Sequence, residues 1–279
     1  MKKSITTILT VFFLFSATAQ EKALAKIHYQ FKHVNDTTKR DNFLLDEVVT
    51  YLGETGSYYM SNSANRISEQ MTAQMSSSNF DGNIVITGTG TAIKDWYLLD
   101  HKQEAMRKVR KIGRGEFIVT ESYPVQEWQI EDDTKIIGGY TCQKATTTFK
   151  GRNYEAWFCV DIPMSYGPWK LHGLPGLILA AKDTKDDVIF EYAGFDRLDD
   201  NTGILIAASA KAIASSDADF DKLEKAYKEN PTAFMQAQQG SQGGNAKIIS
   251  VNVSSGSSAT QNTSATFSKA AIMCVVIFS

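Results

Sequence analysis

Gly167-Pro168-Trp169-Lys170-Leu171-His172-Gly173-Leu174-Pro175-Gly176-Leu177-Ile178-Leu179-Ala180-Ala181 is the stretch on which the fold turns. Its first part is crowded with Gly and Pro, and its last five residues are all apolar. Leu174-Pro175-Gly176-Leu177 fits a type II turn, in which Pro175 supplies the fixed φ of the second position and Gly176 the positive φ of the third. The turn feeds a strand that is apolar on both faces, and such a strand must be covered on both. Trp169 and Leu171 are placed to cover the turn. The same two-faced pattern recurs in residues 43–52. Either helices cover both faces of the sheet, or the sheet curls until one face lines an enclosed apolar space.

Moving outward, residues 135–148 and 154–162 flank Lys150-Gly151-Arg152-Asn153 and read as a hairpin. A turn centred on Gly151-Arg152 would set Cys142 opposite Asp161, with Cys159 as its diagonal neighbour. Downstream, residues 188–192 form a further strand. Upstream, residues 23–31 alternate, with Ile27, Tyr29 and Phe31 on one face. Further β-type runs occupy 42–52, 57–60, 83–87, 95–101, 106–112, 116–122 and 127–130. Many short strands at close spacing predict an antiparallel meander, closed or nearly so. Helical spacing appears in 62–78 and, more strongly, in 217–238. In the latter, Phe220, Leu223, Ala226, Tyr227, Phe234 and Met235 make the stripe, Asp217 or Asp219 can cap, and Pro231 kinks or divides. One strong helix is too little to cover both faces of a large sheet. The expected fold is therefore mainly β, a long curved antiparallel sheet or unclosed barrel with one or two packed helices.

The chain opens Met1-Lys2-Lys3, runs apolar from Ile5 to Phe15, and reaches Ser16-Ala17-Thr18-Ala19-Gln20. This is the pattern of a cleavable signal peptide, with an apolar run short of the roughly 20 residues a bilayer span needs. The expected organisation is a signal at 1–19, a single β-rich domain at 20–239, and a low-complexity, largely disordered tail at 240–279 with a short strand near 248–253. Gln20 becomes the first mature residue, and no Cys stands beside the site to take a lipid. Loss of two lysines leaves 27 basic against 31 acidic side chains. That balance gives no reason to expect nucleic acid or an anionic membrane as partner. No later segment reads as membrane-spanning, so the product is expected to be exported to the periplasm, the outer-membrane surface or the exterior. In an oxidising compartment Cys142 and Cys159 read as a disulfide, leaving Cys274 unpaired. His28, His33, His101 and His172 show no ligand spacing to this pair, so no zinc site is expected.

Gly173, Leu174, Pro175, Gly176, Leu177 and Ile178 spell a hexapeptide that resembles the signature of the GLPGLI family, also called the Porph_ging family, of exported Bacteroidetes proteins. Trp128, Lys135 to Tyr140, Cys142, Lys144-Ala145, Ala156-Trp157-Phe158, Ile162-Pro163 and Gly167-Pro168 are similar to the rest of its pattern, and Ser57 to Ser61 to its N-terminal strand. The resemblance covers roughly residues 21–240. It implies an exported protein of uncharacterised function and supplies no catalytic or ligand residue to carry over. Many members end in a basic segment and a polar Asn-Pro tail. This chain ends Phe267-Ser268-Lys269-Ala270-Ala271-Ile272-Met273-Cys274-Val275-Val276-Ile277-Phe278-Ser279, either a short apolar tail or the mark of a frame slip in the last codons.

No nucleophile elbow, His-Glu-x-x-His motif or phosphate loop is present. His172 lacks a partnered nucleophile and reads as structural or exposed, with Ser165 only a loop residue. Asp183, Asp186 and Asp187, and likewise Asp196, Asp199, Asp200 and Asn201, match no calcium-loop spacing and read as solvated turns. Arg107, Lys108, Arg110, Lys111 and Arg114 read as a solvated strand face. No catalytic residue, metal or cofactor is expected. The function expected is a non-catalytic binding or carrier module for an apolar small molecule, lipid or peptide, with Leu177, Leu179, Trp157 and Tyr140 lining the groove or packed beneath it. The alternatives are an accessory subunit docking on an outer-membrane protein and a hydrolase of unrecognised type.

Overall fold

The computed structural model describes residues 21–87, 93–113, 115–232, 234 and 250–254. The expected signal segment, Arg114, Cys274 and most of the tail lie outside them. In chain order the elements are β1 (Glu21–Lys22), β2 (Ala25–His33), β3 (Leu44–Leu52), β4 (Gly56–Ser61), α1 (Ser63–Met75), β5 (Asn83–Thr87), β6 (Trp96–Asp100), β7 (Ala105–Ile112) and β8 (Gly115–Glu121). They continue with β9 (Gln129–Ile137), β10 (Tyr140–Phe149), β11 (Arg152–Cys159), β12 (Leu177–Asp183), β13 (Val188–Arg197), β14 (Leu205–Ile206), β15 (Ile213–Ala214), α2 (Asp217–Glu229) and β16 (Ser250–Ser254).

Twelve strands form one sheet in the order β15-β8-β7-β6-β4-β3-β2-β13-β12-β11-β10-β9, unclosed as expected, and all but the β15–β8 pair run antiparallel. Each long strand is read by its alternation. In β2, Ala25, Ile27, Tyr29 and Phe31 are buried while Lys26, His28, Gln30 and Lys32 are not, the pattern of an apolar face opposite a polar one. The inward side chains of the neighbouring strands meet these in one core, with Tyr59, Phe158, Leu179 and Phe190 among its largest members.

The sheet curls. Arg110 of β7 and Arg152 and Tyr154 of β11 line the same cavity, although seven strand-to-strand steps separate β7 from β11. At about 4.8 Å per step a flat sheet would hold them about 34 Å apart. The inner face is stopped at one end by α2, whose Phe220 packs edge-on against Phe117 at 5.5 Å while Arg110 lies 3.8 Å over its ring. Ser216 caps this helix by accepting from the Asp219 amide, in place of the expected Asp217 or Asp219, and the helix closes at Asn230, ahead of Pro231. On the other helix, the Gln74 side-chain amide bonds both the N–H and the C=O of Val85 in β5, at 2.8 and 2.7 Å. The opposite edge of β5 pairs with β16, close to the short strand expected in the tail.

Two hairpin registers differ from the sequence reading. The single strand expected at 135–148 is two strands, β9 and β10, joined at Gly138-Gly139, both at positive φ (59° and 88°). Two successive residues at positive φ make the tight turn that matches strand twist. The β10–β11 turn is Lys150-Gly151, with Phe149 opposite Arg152, one residue earlier than expected. Facing positions therefore sum to 301, so the position beyond the last pair, Gln143–Phe158, sets Cys142 opposite Cys159.

Candidate functional site

The inner face holds a cavity of about 610 Å³. Its floor is an aromatic ladder made by the inward positions of adjacent strands. Phe31 stacks on Phe190 at 4.8 Å, Tyr59 on Tyr97 at 6.4 Å, and Tyr59 meets Phe190 edge-on at 6.4 Å. Ring pairs of this kind contribute about 1 kcal/mol each beyond their buried area, so the floor is rigid. Burial pushes the Tyr59 hydroxyl far above its usual pKa, so it stays a neutral phenol.

One wall is Trp169, half-buried and 5.7 Å from the Phe149 ring. It is carried by residues 162–173, a strap that crosses the inside of the curl. The strap is pinned at several points. Thr50 Oγ1 donates to the Gly167 carbonyl at 3.3 Å, Gln126 Nε2 to Lys170 at 3.0 Å, and Trp128 Nε1 to His172 at 2.7 Å. The buried Lys170 ammonium bonds Glu121 at 2.6 Å and sits 4.4 Å over the Tyr97 ring. Trp169 itself is held at φ 56°, a conformation rare for a large side chain.

The hexapeptide follows this strap, sharing Gly173 with it and leading into β12, and lies outside the cavity lining. Leu174, Leu177 and Ile178 are buried, and the Tyr29 hydroxyl donates to the Ile178 carbonyl at 2.6 Å. The covered two-faced strand expected from Leu177-Ile178-Leu179 is therefore present. The type II turn is not, because Gly176 is absent from the positive-φ glycines, whereas Gly173 has φ 91°. Gly176 is needed for close approach instead, since a Cβ there would stand 2.1 Å from the Cys159 carbonyl oxygen. Gly167 plays the same part, with the Leu171 oxygen 2.7 Å and Ile178 Cδ1 2.8 Å from its missing Cβ.

The rim is charged. Lys94 lies 4.0 Å from Glu224, Arg110 lies 3.1 Å from Asp95 and 3.0 Å from Asp221, and Arg152 pairs with Asp183 and, at 3.5 Å, with Asp187. Lys150 has no carboxylate partner among the described residues. His33 completes the rim, and burial, reinforced by Arg152, lowers its pKa so that it is neutral at pH 7.

Several expected placements change. Of Leu177, Leu179, Trp157 and Tyr140, expected to line the groove or pack beneath it, none lines the cavity. Leu177 and Leu179 are fully buried core residues, while Trp157 sits under Lys135 at 4.1 Å and Tyr140 against Phe195 at 6.5 Å. Their strands are where the sequence put them, but the curl brings other side chains to the lumen. Asp183 and Asp187 are not solvated. Both are buried, held by Arg152 and, for Asp187, by Arg40 at 2.8 Å. Asp186 does face water. The basic cluster is likewise only partly a solvated face. Lys108 is buried between Glu121 at 2.9 Å and Asp217 at 2.5 Å, and Arg110 lies beneath α2. The acidic first turn of α2 lands on β7, which sequence spacing does not reveal. Cys142 and Cys159 are buried and unbonded in this structure, so the expected disulfide is not seen, although the register sets the two residues opposite each other. The Cys142 thiol donates to the Tyr140 carbonyl at 3.6 Å, and burial, with Cys159 next in effect, pushes it up to about 11.

Beside the strap lies a cluster that sequence spacing did not bring together. Ser57 Oγ is 3.0 Å from His101 Nε2, and His101 Nδ1 is 2.7 Å from the Tyr123 hydroxyl. The His101 ring stacks on Tyr166 at 4.5 Å and meets His172 edge-on at 4.9 Å. Burial, then the neighbouring His172, lowers the His101 pKa to about 3. Ser57 is buried within β4 and lines neither the groove nor the surface cavity around Leu98 and Ile206. His172 Nε2 donates to the Pro124 carbonyl at 2.8 Å, which fixes Nε2 as the protonated nitrogen.

Residues 147–180 match a family model described as "Protein of unknown function (Porph_ging)". This bears out the family resemblance over the end of β10, all of β11, the strap and the start of β12. No curated protein matches the chain. Two solved structures of PNGF-II, in P21 and C2 space groups, are similar at 13% and 14% identity, with TM-scores of 0.47 and 0.48. They align with 71% and 73% of this chain, which spans 32% of the length of each.

Proposed function

We propose that this chain is an exported, non-catalytic binding or carrier module whose inner-face groove takes the apolar body of a small amphipathic molecule. The observation that carries this reading is the aromatic floor beneath a cavity of about 610 Å³, a volume within the range of roughly 300–1,000 Å³ typical of small-molecule sites. A strap held in place by several hydrogen bonds preorganises one wall, which lowers the ordering cost of binding. Export rests on the N-terminal segment of the sequence, and in an oxidising compartment the opposed Cys142 and Cys159 would close into a disulfide. The test is displacement of a dansyl-labelled undecanoic acid by unlabelled decanoate. Saturable one-to-one displacement is expected. It should weaken strongly in Leu44→Trp, which narrows the mouth at a part-exposed lining position. No saturable binding to the natural protein removes the reading.

The docking alternative has one observation in its favour. β9 is a nine-residue edge strand, and Ile130 and Ile136 are 51% and 76% exposed. Long exposed edges are templates for pairing with another chain. Site-specific cross-linking from position 136 in native envelopes tests it. A single outer-membrane product would favour docking, and none would remove it.

A further inference from the structure

We propose that Lys150 recognises the polar end of the ligand, so that the groove selects amphiphiles ending in a single anion, a carboxylate being the simplest. This rests on the binding reading above.

Lys150 is the first central residue of the β10–β11 turn, at φ 50°, and Gly151 follows at φ 75°. Turns of this kind favour Asn or Asp before Gly, and an L-residue with a long side chain is disfavoured at positive φ. Strain of this sort persists where the surroundings over-determine it, and it gathers at ligand clamps. Four non-glycine residues have positive φ among those described, and two of them, Lys150 and Trp169, line this one groove.

The charge pattern points the same way. Of the four lysines and arginines on the rim, Lys94, Arg110 and Arg152 each face carboxylates. Asp95 is the single carboxylate of the lining, and it lies 3.1 Å from Arg110. His33 is neutral at pH 7. Lys150 is the one rim cation without a carboxylate partner among the described residues, and its ammonium lies 5.9 Å from the Phe149 ring centroid, an interaction that leaves it able to meet an entering anion. Below it lies the aromatic floor, so the site is polar at one end and apolar along its body.

The experiment compares decanoate with 1-decanol on the full chain, by displacement titration at low salt. The natural protein is expected to bind decanoate about tenfold more tightly, the scale of one charge-assisted hydrogen bond at a partly exposed position. Lys150→Asn suits the turn better than lysine, so its stability should be equal or higher. It should lose the tenfold preference while binding decanol unchanged. Lys150→Arg should keep the preference. Raised salt should shrink the preference in the natural protein. Equal decanoate affinity in Lys150→Asn, or equal loss of both ligands, would overturn the assignment. Failure of the underlying reading looks different, because then neither ligand binds the natural protein at all, and both proposals fall together.

Discussion

Gly176→Ala tests what the hexapeptide does. The added methyl would stand 2.1 Å from the Cys159 oxygen, 2.6 Å from its carbonyl carbon and 2.9 Å from the Val160 nitrogen. All three are backbone atoms, so no side-chain rotation relieves the clash. Either β11 or β12 must move by about 1 Å. That movement loosens the Leu177 N–H bond to the Ile162 carbonyl, 3.0 Å long, and the Cys159–Leu177 pairing. Two backbone hydrogen bonds are worth about 1 kcal/mol each, and overpacking adds about 1–3 kcal/mol, so the cost is about 3–5 kcal/mol. Gly151→Ala is the control. Nothing lies within 4 Å of its Cβ, and its φ of 75° alone leaves about 1–2 kcal/mol of strain. Urea unfolding followed by tryptophan fluorescence measures both. A loss below about 1 kcal/mol for Gly176→Ala, or the same loss in both variants, would refute the close-approach explanation.

Three further outcomes are expected. The folded-state pKa of His101 is near 3 against 6.5 when unfolded, so the unfolded chain binds more protons between those values and stability falls as pH drops below 6.5. By pH 5 the loss from His101 is about 2 kcal/mol. A urea midpoint that does not fall between pH 7 and pH 5, or falls equally in His101→Gln, contradicts this. Refolding in an oxidising glutathione buffer should leave one titratable thiol after denaturation, Cys274, whereas three thiols would show that Cys142 and Cys159 do not join. Folded, reduced protein should react with thiol reagents slowly, since both sulfurs are buried and the Cys142 thiol is pushed up to about 11. Fast modification of two buried cysteines would count against that burial.

Local features of this fold were legible in the sequence. The alternation in β2 announced a half-buried strand, and the apolar run after Gly176 announced a strand covered on both faces. Turn identity was harder. Lys150-Gly151 is a tight turn with lysine where asparagine is usual, so the register was read two positions off in its facing sum, and with it the Cys142–Cys159 relation. Gly138-Gly139 sat inside an otherwise continuous β pattern. The groove was the least legible part, because Phe31, Tyr59, Tyr97 and Phe190 alternate as any core residues do. Only the pairing of β2 with the distant β13, and the curl that follows, decides that their rings form a floor. The same holds for Lys108 and Arg110, whose neutralising aspartates arrive on α2 more than a hundred residues later.

Photolabelling most directly tests whether the inner face is a ligand site. The natural protein is irradiated with a decanoic acid carrying a diazirine at the chain end, and the labelled residues are mapped by mass spectrometry. Labels are expected on the groove residues Phe31, Tyr59, Tyr97, Trp169 and Phe190, and excess decanoate should suppress them. Labels confined to other surfaces, such as the β9 edge or the cavity around Leu98 and Ile206, or labels that decanoate leaves unchanged, would contradict the groove as the binding site.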